Sequence, residues 1–237
     1  MGDPLESPTA RILAEQERYY RARAPEYDDW WFRRGRYDHG PDVNARWFSD
    51  AAAAEAALER FDVAGRVLEI ACGTGQWTAR LARRADHVTA LDTSPEVLEL
   101  ARRRVGESNV SYVRADVFAW EPDAPYDVCF FGFWLSHVPE ERFGAFWERV
   151  GRALGPGGRV FFIDSLPSEV ASAVDHRLPE QGAETMLRRL ADGREYTIVK
   201  RFHEPEALER RLSELGWDVE VDTTPEFFLY GAGSREG

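Results

Sequence analysis

The residues with the most chemistry in this sequence sit in one short turn. In Glu69-Ile70-Ala71-Cys72-Gly73-Thr74-Gly75, a carboxylate lies near the end of an apolar run and two glycines follow. Glycines let a backbone approach a ligand closely. Two further acids close later apolar runs: Asp92 in Leu91-Asp92-Thr93-Ser94, and Asp116 in Arg114-Ala115-Asp116-Val117-Phe118. An acid in the first position can accept both hydroxyls of a ribose. One in the second can take an adenine amino group while Val117 and other apolar neighbours sandwich the ring. The nicotinamide fingerprint asks for a third glycine where this chain has Thr78. A pyrophosphate gains little from Glu69 beside it, whereas a ligand carrying an amino group and a positive sulfur gains much. The set therefore points to an adenosyl sulfonium cofactor rather than a dinucleotide.

A second group concerns an acceptor. Trp134-Leu135-Ser136-His137-Val138-Pro139 follows the fourth apolar run, and His137 is the only histidine so placed. It is a candidate general base, or a group that orients an acceptor oxygen. The alternative is a structural histidine bonded to backbone. Of the 30 basic residues, Lys200 is the only lysine. Trp30, Trp31, Phe32, Trp47 and Phe48 are either packing or a cage that could steady a carbocation.

The elements that must position these residues alternate. Apolar runs at 66–71, 87–91, 110–114, 126–131 and 159–163 read as strands. Helices are predicted over 76–84, over 95–105 with Ser94 as N-cap and Pro95 in the first turn, and over 140–154. Strands apolar throughout imply a parallel sheet covered on both faces, and right-handed crossovers make it doubly wound. Before this core, 7–23 and 43–60 read as helices, with a short aromatic helix at 26–32 and a loop at 33–42. After it, 166–192 is a polar insertion with some helix and 195–202 a strand. A helix at 205–215 precedes a strand pair at 217–222 and 227–230. The Gly/Ser/charged tail, 231–237, is expected to fray.

These pieces together resemble the class I S-adenosylmethionine-dependent methyltransferases: the Glu69 to Gly75 loop, Asp92, Asp116, and Tyr126-Asp127-Val128 opening the fourth strand, in order, over most of 66–164. The resemblance implies a seven-stranded, mostly parallel Rossmann-like α/β sheet. It places Glu69, Ala71, Gly73 and Gly75 around the methionine part, Asp92 and Thr93 at the ribose, Asp116 and Val117 at adenine, and the backbone near Phe133 at the amino group. Tyr19 to Asp28 resembles the N-terminal helical lid of small-molecule methyltransferases, with Tyr20 and Tyr27 as contacts. Phe133 to Pro139, Phe143, Phe146-Trp147, the stretch from Leu190 to Lys200 and Leu215-Gly216-Trp217 are similar to the phosphonate O-methyltransferase type of the dehydrophos pathway. That likeness implies that Arg188 and Lys200 hold an acid group, beside Trp134 and His137. It departs at 30–47, which reads as an insertion over the acceptor pocket.

Composition bounds the rest. The 237 residues, 43% hydrophobic, suit a single domain: a lid at 1–60, a cofactor core at 66–164, a substrate-side insertion at 165–203, and a C-terminal helix and strand pair at 204–231. A net charge of -12 without a basic face excludes a nucleic-acid partner. No run approaches the roughly 20 apolar residues of a membrane span, and no secretory signal is legible, so a cytoplasmic enzyme of secondary metabolism with a small-molecule acceptor is expected. Cys72 and Cys129 read as buried hydrophobes, and no metal-ligand spacing is present. The competing readings are a nicotinamide oxidoreductase, a non-catalytic cofactor binder, and a C-methyltransferase of a prenyl or aromatic compound.

Overall fold

A computed structural model describes residues 7–180 and 182–235. Seven strands form one sheet: β1 (Arg66–Ile70), β2 (His87–Asp92), β3 (Val110–Arg114), β4 (Tyr126–Gly132), β5 (Leu154–Ser165), β8 (Trp217–Thr223) and β9 (Phe228–Arg235). Their order is β3-β2-β1-β4-β5-β9-β8. The first five run parallel; β9 is antiparallel to β5 and to β8. A separate antiparallel hairpin joins β6 (Thr185–Arg189) to β7 (Glu195–Val199). The chain reverses its direction of travel between β1 and β4, and ligands in such sheets bind at the carboxyl ends beside that point.

The central strands are apolar throughout because both faces are covered. On β4, Phe130 packs with Trp47, Trp77 and Phe161 on one face. Phe131 packs with Phe146, Trp147, Phe162 and Trp217 on the other. The helices on these faces are α2 (Pro41–Arg60), α3 (Thr78–Leu81), α4 (Pro95–Val105), α5 (Phe143–Ala153) and α6 (Pro205–Glu214). Ser94 caps α4 through Val97 N–H, as its sequence predicts. Cys72 and Cys129 are free and buried.

The first helix, α1 (Pro8–Arg23), is capped by Ser7 and lies across β7 above the carboxyl ends of the strands. Gln16 is buried there; its amide accepts from Val199 N and donates to the His137 carbonyl. Glu15 accepts from Thr197 N. The helix thus borrows backbone groups that β7 would otherwise leave unpaired.

Four expectations are corrected. The helix read over 76–84 contracts to the four residues of α3, flanked by turns with mixed three- and four-residue hydrogen bonds. The aromatic helix read over 26–32 is a 3₁₀ turn, Ala24–Asp29. The insertion at 166–192 contributes strand β6 as well as a 3₁₀ turn. The tail does not fray through Arg235: a Cβ at Gly231 would meet the Phe162 ring at 2.3 Å, and one at Gly233 would meet Asp218 O at 2.0 Å. Those glycines are small because neighbours press on the strand they belong to. Residues 236 and 237 lie outside the described residues.

Candidate active site

A cavity opens at the carboxyl ends of the parallel strands. Ile70 and Ala71 line it from the end of β1, Leu91, Asp92 and Thr93 from β2, and Ala115, Asp116 and Val117 from the loop after β3. Gly132, Phe133 and Trp134 close it after β4, Val97 borders it from α4, and Tyr20 and Tyr27 cover it. Ala71 and Phe133 both adopt left-handed backbone, with φ of 55° and 57°. Non-glycine residues seldom do so, and such strain gathers at functional sites. Asp92 Oδ2 accepts from Gly73 N at 3.0 Å and Oδ1 from Ser94 N at 2.9 Å, which leaves lone pairs on each oxygen for a ligand. Burial raises the Asp92 carboxyl to about 6, against the N–H groups of Ser94, Gly73 and Thr93. Asp116 Oδ1 accepts from Phe118 N at 2.9 Å, which fixes its second oxygen. Two oriented carboxylates with apolar walls between them fit a nucleoside.

A second cavity adjoins the first, and Tyr20, Tyr27, Phe133 and His137 line both. Its other walls include Arg23, Trp30, Tyr37, Ser172, Arg188 and Lys200. His137 Nδ1 lies 2.7 Å from Val199 O, and a carbonyl only accepts, so Nδ1 carries the proton. Its Nε2 then accepts from the Tyr20 phenol at 2.7 Å. Burial, and then Lys200, lowers His137 to about 3, so the ring is neutral. Arg188 donates to Ser172 Oγ at 3.1 Å and to His176 Nδ1 at 2.8 Å. The other ring nitrogen, Nε2, faces the Arg189 backbone, 3.0 Å from its N and 3.1 Å from its O. Lys200 is buried, donates to Ser136 Oγ at 2.8 Å, and stands 3.6 Å from Asp164 Oδ1. Burial lowers the ammonium to about 8, with Asp164 opposing. Burial alone would raise Asp164; Lys200 and the N–H groups of Ser136 and Ser165 help to hold it below the usual carboxylate range.

Residues 67–158 match the family model of a methyltransferase domain. DhpI, solved as a complex with SAH, is 40% identical over 95% of this chain and 97% of its own, with a TM-score of 0.77. The DhpI complex with SAM and HEP gives a TM-score of 0.78. This chain belongs to the S-adenosylmethionine-dependent methyltransferases. Among curated relatives, the ubiquinone biosynthesis O-methyltransferase of Xylella fastidiosa is 33% identical over 65% of this chain and 61% of that protein. The demethylmenaquinone methyltransferase of Clavibacter sepedonicus is 40% identical over 43% of this chain and 42% of that protein. The chain thus spans about 61% or less of the length of these two curated relatives. The methyltransferase uses S-adenosylmethionine, and among its described residues no helix is long and apolar enough to cross a membrane. The nicotinamide reading falls with this assignment. The described residues contain no His/Cys/Asp/Glu group suited to a metal ion.

Of the residues expected at the methyltransferase's cofactor, Tyr20, Tyr27, Ala71, Asp92, Thr93, Asp116, Val117 and Phe133 line the first cavity. Glu69, Gly73 and Gly75 do not, and each has a packing reason. The Glu69 side chain turns inward, 1% exposed, and accepts from Thr78 Oγ1 at 2.6 Å, tying the strand to α3. Gly73 lies under Tyr27: a Cβ there would sit 2.7 Å from its Oη. Gly75 backs onto α4, where a Cβ would meet Ala101 Cα at 2.9 Å. Arg23, Tyr37, Asp164 and His176 went unread in the sequence. Arg23 lies within Tyr19 to Asp28, but only the fold brings it into the cavity that Arg188 also lines.

Glu69 has a measurable consequence. Burial raises its carboxyl from 4.5 to about 8. Between those values the folded protein keeps a proton that the unfolded chain releases, so stability falls as pH rises. The slope from this group is about 1.4 kcal/mol per pH unit. Three histidines held neutral by burial, His137, His176 and His203, act in the opposite sense below about 6.5. Melting of the ligand-free protein should therefore drop between about pH 6.5 and 8, and Glu69→Gln should flatten that interval. A wild-type melting curve already flat there would show that Glu69 ionises normally.

Proposed function

We propose that this methyltransferase transfers the methyl group to an oxygen of a small acid, a phosphonate or carboxylate, in secondary metabolism. The reading rests on one observation: the cavity beside the cofactor cavity is lined by Arg188 and Lys200, in a chain of net charge -12. Guanidinium holds oxyanions through paired hydrogen bonds, and lysine adds a point charge. The similar protein DhpI has been solved as a complex with SAM and HEP; the phosphonate follows the resemblance in sequence to the dehydrophos-pathway type.

Bound S-adenosylmethionine supplies an electrophilic methyl group on a sulfonium. The acid oxygen is already anionic near neutral pH, so no residue has to remove a proton. Arg188 and Lys200 aim that oxygen from the acceptor side. Tyr20 and Tyr27, on the lid, exclude water where the two cavities meet. Alignment of this kind contributes about 7–11 kcal/mol in well-oriented systems. His137 spends its lone pair on Tyr20 and serves as a seat for the lid rather than a base.

The C-methylation reading loses its cage. Trp31 and Trp47 are buried in the core, while Phe32 and Phe48 lie in a surface groove with Gln76 and Arg104. Of the five aromatics, only Trp30 lines the acceptor cavity.

The test is a product assay with S-adenosylmethionine and a panel of small phosphonic acids, carboxylic acids and phenols, read by mass spectrometry. Methyl esters of acids are expected. With an acid, His137→Ala should keep turnover within about tenfold, the cost of one neutral hydrogen bond. Turnover that collapses in this variant and returns at high pH would defeat the acid-oxygen reading.

A further inference from the structure

The acceptor cavity holds a third cation whose position the acid reading leaves unused. Arg23 closes the last turn of α1, so it rides on the lid, whereas Arg188 and Lys200 stand on the β6–β7 side. Its Cζ lies 5.1 Å from the ring centroid of Tyr27 and 5.8 Å from those of Tyr19 and Tyr37. Its Nε is buried and makes no hydrogen bond. Among the described residues no carboxylate pairs with it. The contrast with its surroundings is sharp: Arg21, on the same helix, is paired with Glu96, Arg104 with Asp28, and Lys200 with Asp164. An Nε–H withdrawn from water without a partner is costly, and aromatic faces return only part of that cost. Such a group is complete when an anion arrives.

We infer that Arg23 binds the oxyanion of the acceptor from the lid side, so that the acid bridges α1 and the β6–β7 hairpin. The inference rests on the acid reading and adds a linkage to it. Tyr20 and Tyr27, on the same lid segment, line the cofactor cavity. An anion that draws Arg23 inward holds those tyrosines over the cofactor. Acid and cofactor therefore tighten each other's binding, by the same factor in both directions. Specificity follows too: a neutral isostere of the acid cannot close the lid.

The experiment titrates methylphosphonate into the full chain saturated with SAH, a pair that cannot react, and titrates SAH with and without methylphosphonate. In the wild type, methylphosphonate should sharpen SAH binding. Arg23→Gln should weaken methylphosphonate binding by about tenfold or more and abolish the sharpening. Its affinity for SAH alone should stay near that of the wild type, which a merely collapsed lid would not allow. Arg23→Lys, which keeps the charge, should recover part of both effects and serves if the glutamine variant folds poorly. If Arg23→Gln binds methylphosphonate like the wild type while Arg188→Ala does not, Arg23 is not an acid ligand and the acid reading stands. If SAH affinity falls with methylphosphonate binding unchanged, Arg23 is structural and the inference fails. If the wild type binds no methylphosphonate at millimolar concentration, the inference falls together with the phosphonate reading.

Discussion

Lys200→Met should lower folding stability by about 3–5 kcal/mol, the cost of leaving one member of a buried ion pair alone. The ammonium is 3.6 Å from Asp164 and both side chains are withdrawn from water, 5% and 1% exposed. Removing it strands a carboxylate that keeps only the N–H groups of Ser136 and Ser165, and removes the donor on Ser136 Oγ. The resemblance in sequence gives Lys200 a place at the acceptor alone. The structure adds the second duty. Lys200→Met with Asp164→Asn removes both charges and keeps an acceptor for the Ser136 N–H, so most of the loss should return. A double-mutant cycle in thermal or urea unfolding measures the coupling. Additive single changes would mean that the pair carries no stability of its own. Acceptor binding, measured well below the melting temperature, should remain weak in both variants, because neither restores the charge facing the cavity. Arg188 is thus the cleaner probe of acid recognition: it lines the same cavity and is held by Ser172 and His176 rather than by a buried carboxylate.

The division between what the sequence reveals and what it hides follows from range. Strands β1 to β5 are legible because each is an apolar run ended by a polar turn, and a strand buried on both faces leaves no other pattern. Asp92 and Asp116 are legible because the strand ends that carry them also place them. Glu69 shows the limit: its type and position suggest a ligand contact, but a side chain at a strand end has two faces to choose from, and Thr78 decides for the inward one. Strand β6 hides in Thr185-Met186-Leu187-Arg188-Arg189, where Leu187 is exposed and Met186 buried, so five residues carry no clear alternation. The glycines of β9 look like a loose tail until Phe162 and Asp218 are known to press on them. Arg23, His176 and Asp164 owe their roles to partners far away in the chain. Local pattern gives the scaffold and the strand-end residues of the first cavity; the second cavity is written in long-range contacts.

Asp92→Ala should weaken SAH binding at least about a hundredfold at pH 7.5, since two hydrogen bonds to a charged acceptor are each worth about 1.5–3 kcal/mol. Part of the loss is indirect. Asp92 Oδ2 also holds Gly73 N, and with it the turn that follows β1. Asp92→Asn separates the two contributions, because its amide oxygen can keep one acceptor while the charge is gone. The pH dependence is the sharper signature. Burial raises the carboxyl to about 6 in the ligand-free protein. Accepting two ribose hydroxyls requires the ionised form, so a bound nucleoside favours loss of that proton. As pH falls below about 6, the wild-type Kd for SAH should rise by up to about tenfold per pH unit, while the asparagine variant, which has nothing to titrate there, should not respond. Calorimetric titrations of SAH between pH 5 and 8 decide the matter. Parallel curves for wild type and variant would remove Asp92 from the ribose and leave its hydrogen bonds to Gly73 and Ser94 as its whole purpose. The sign also fixes a practical consequence: acid conditions should stabilise the ligand-free protein through Asp92 and Glu69 while depriving it of its cofactor, so fold and function have opposite pH preferences at this one strand edge.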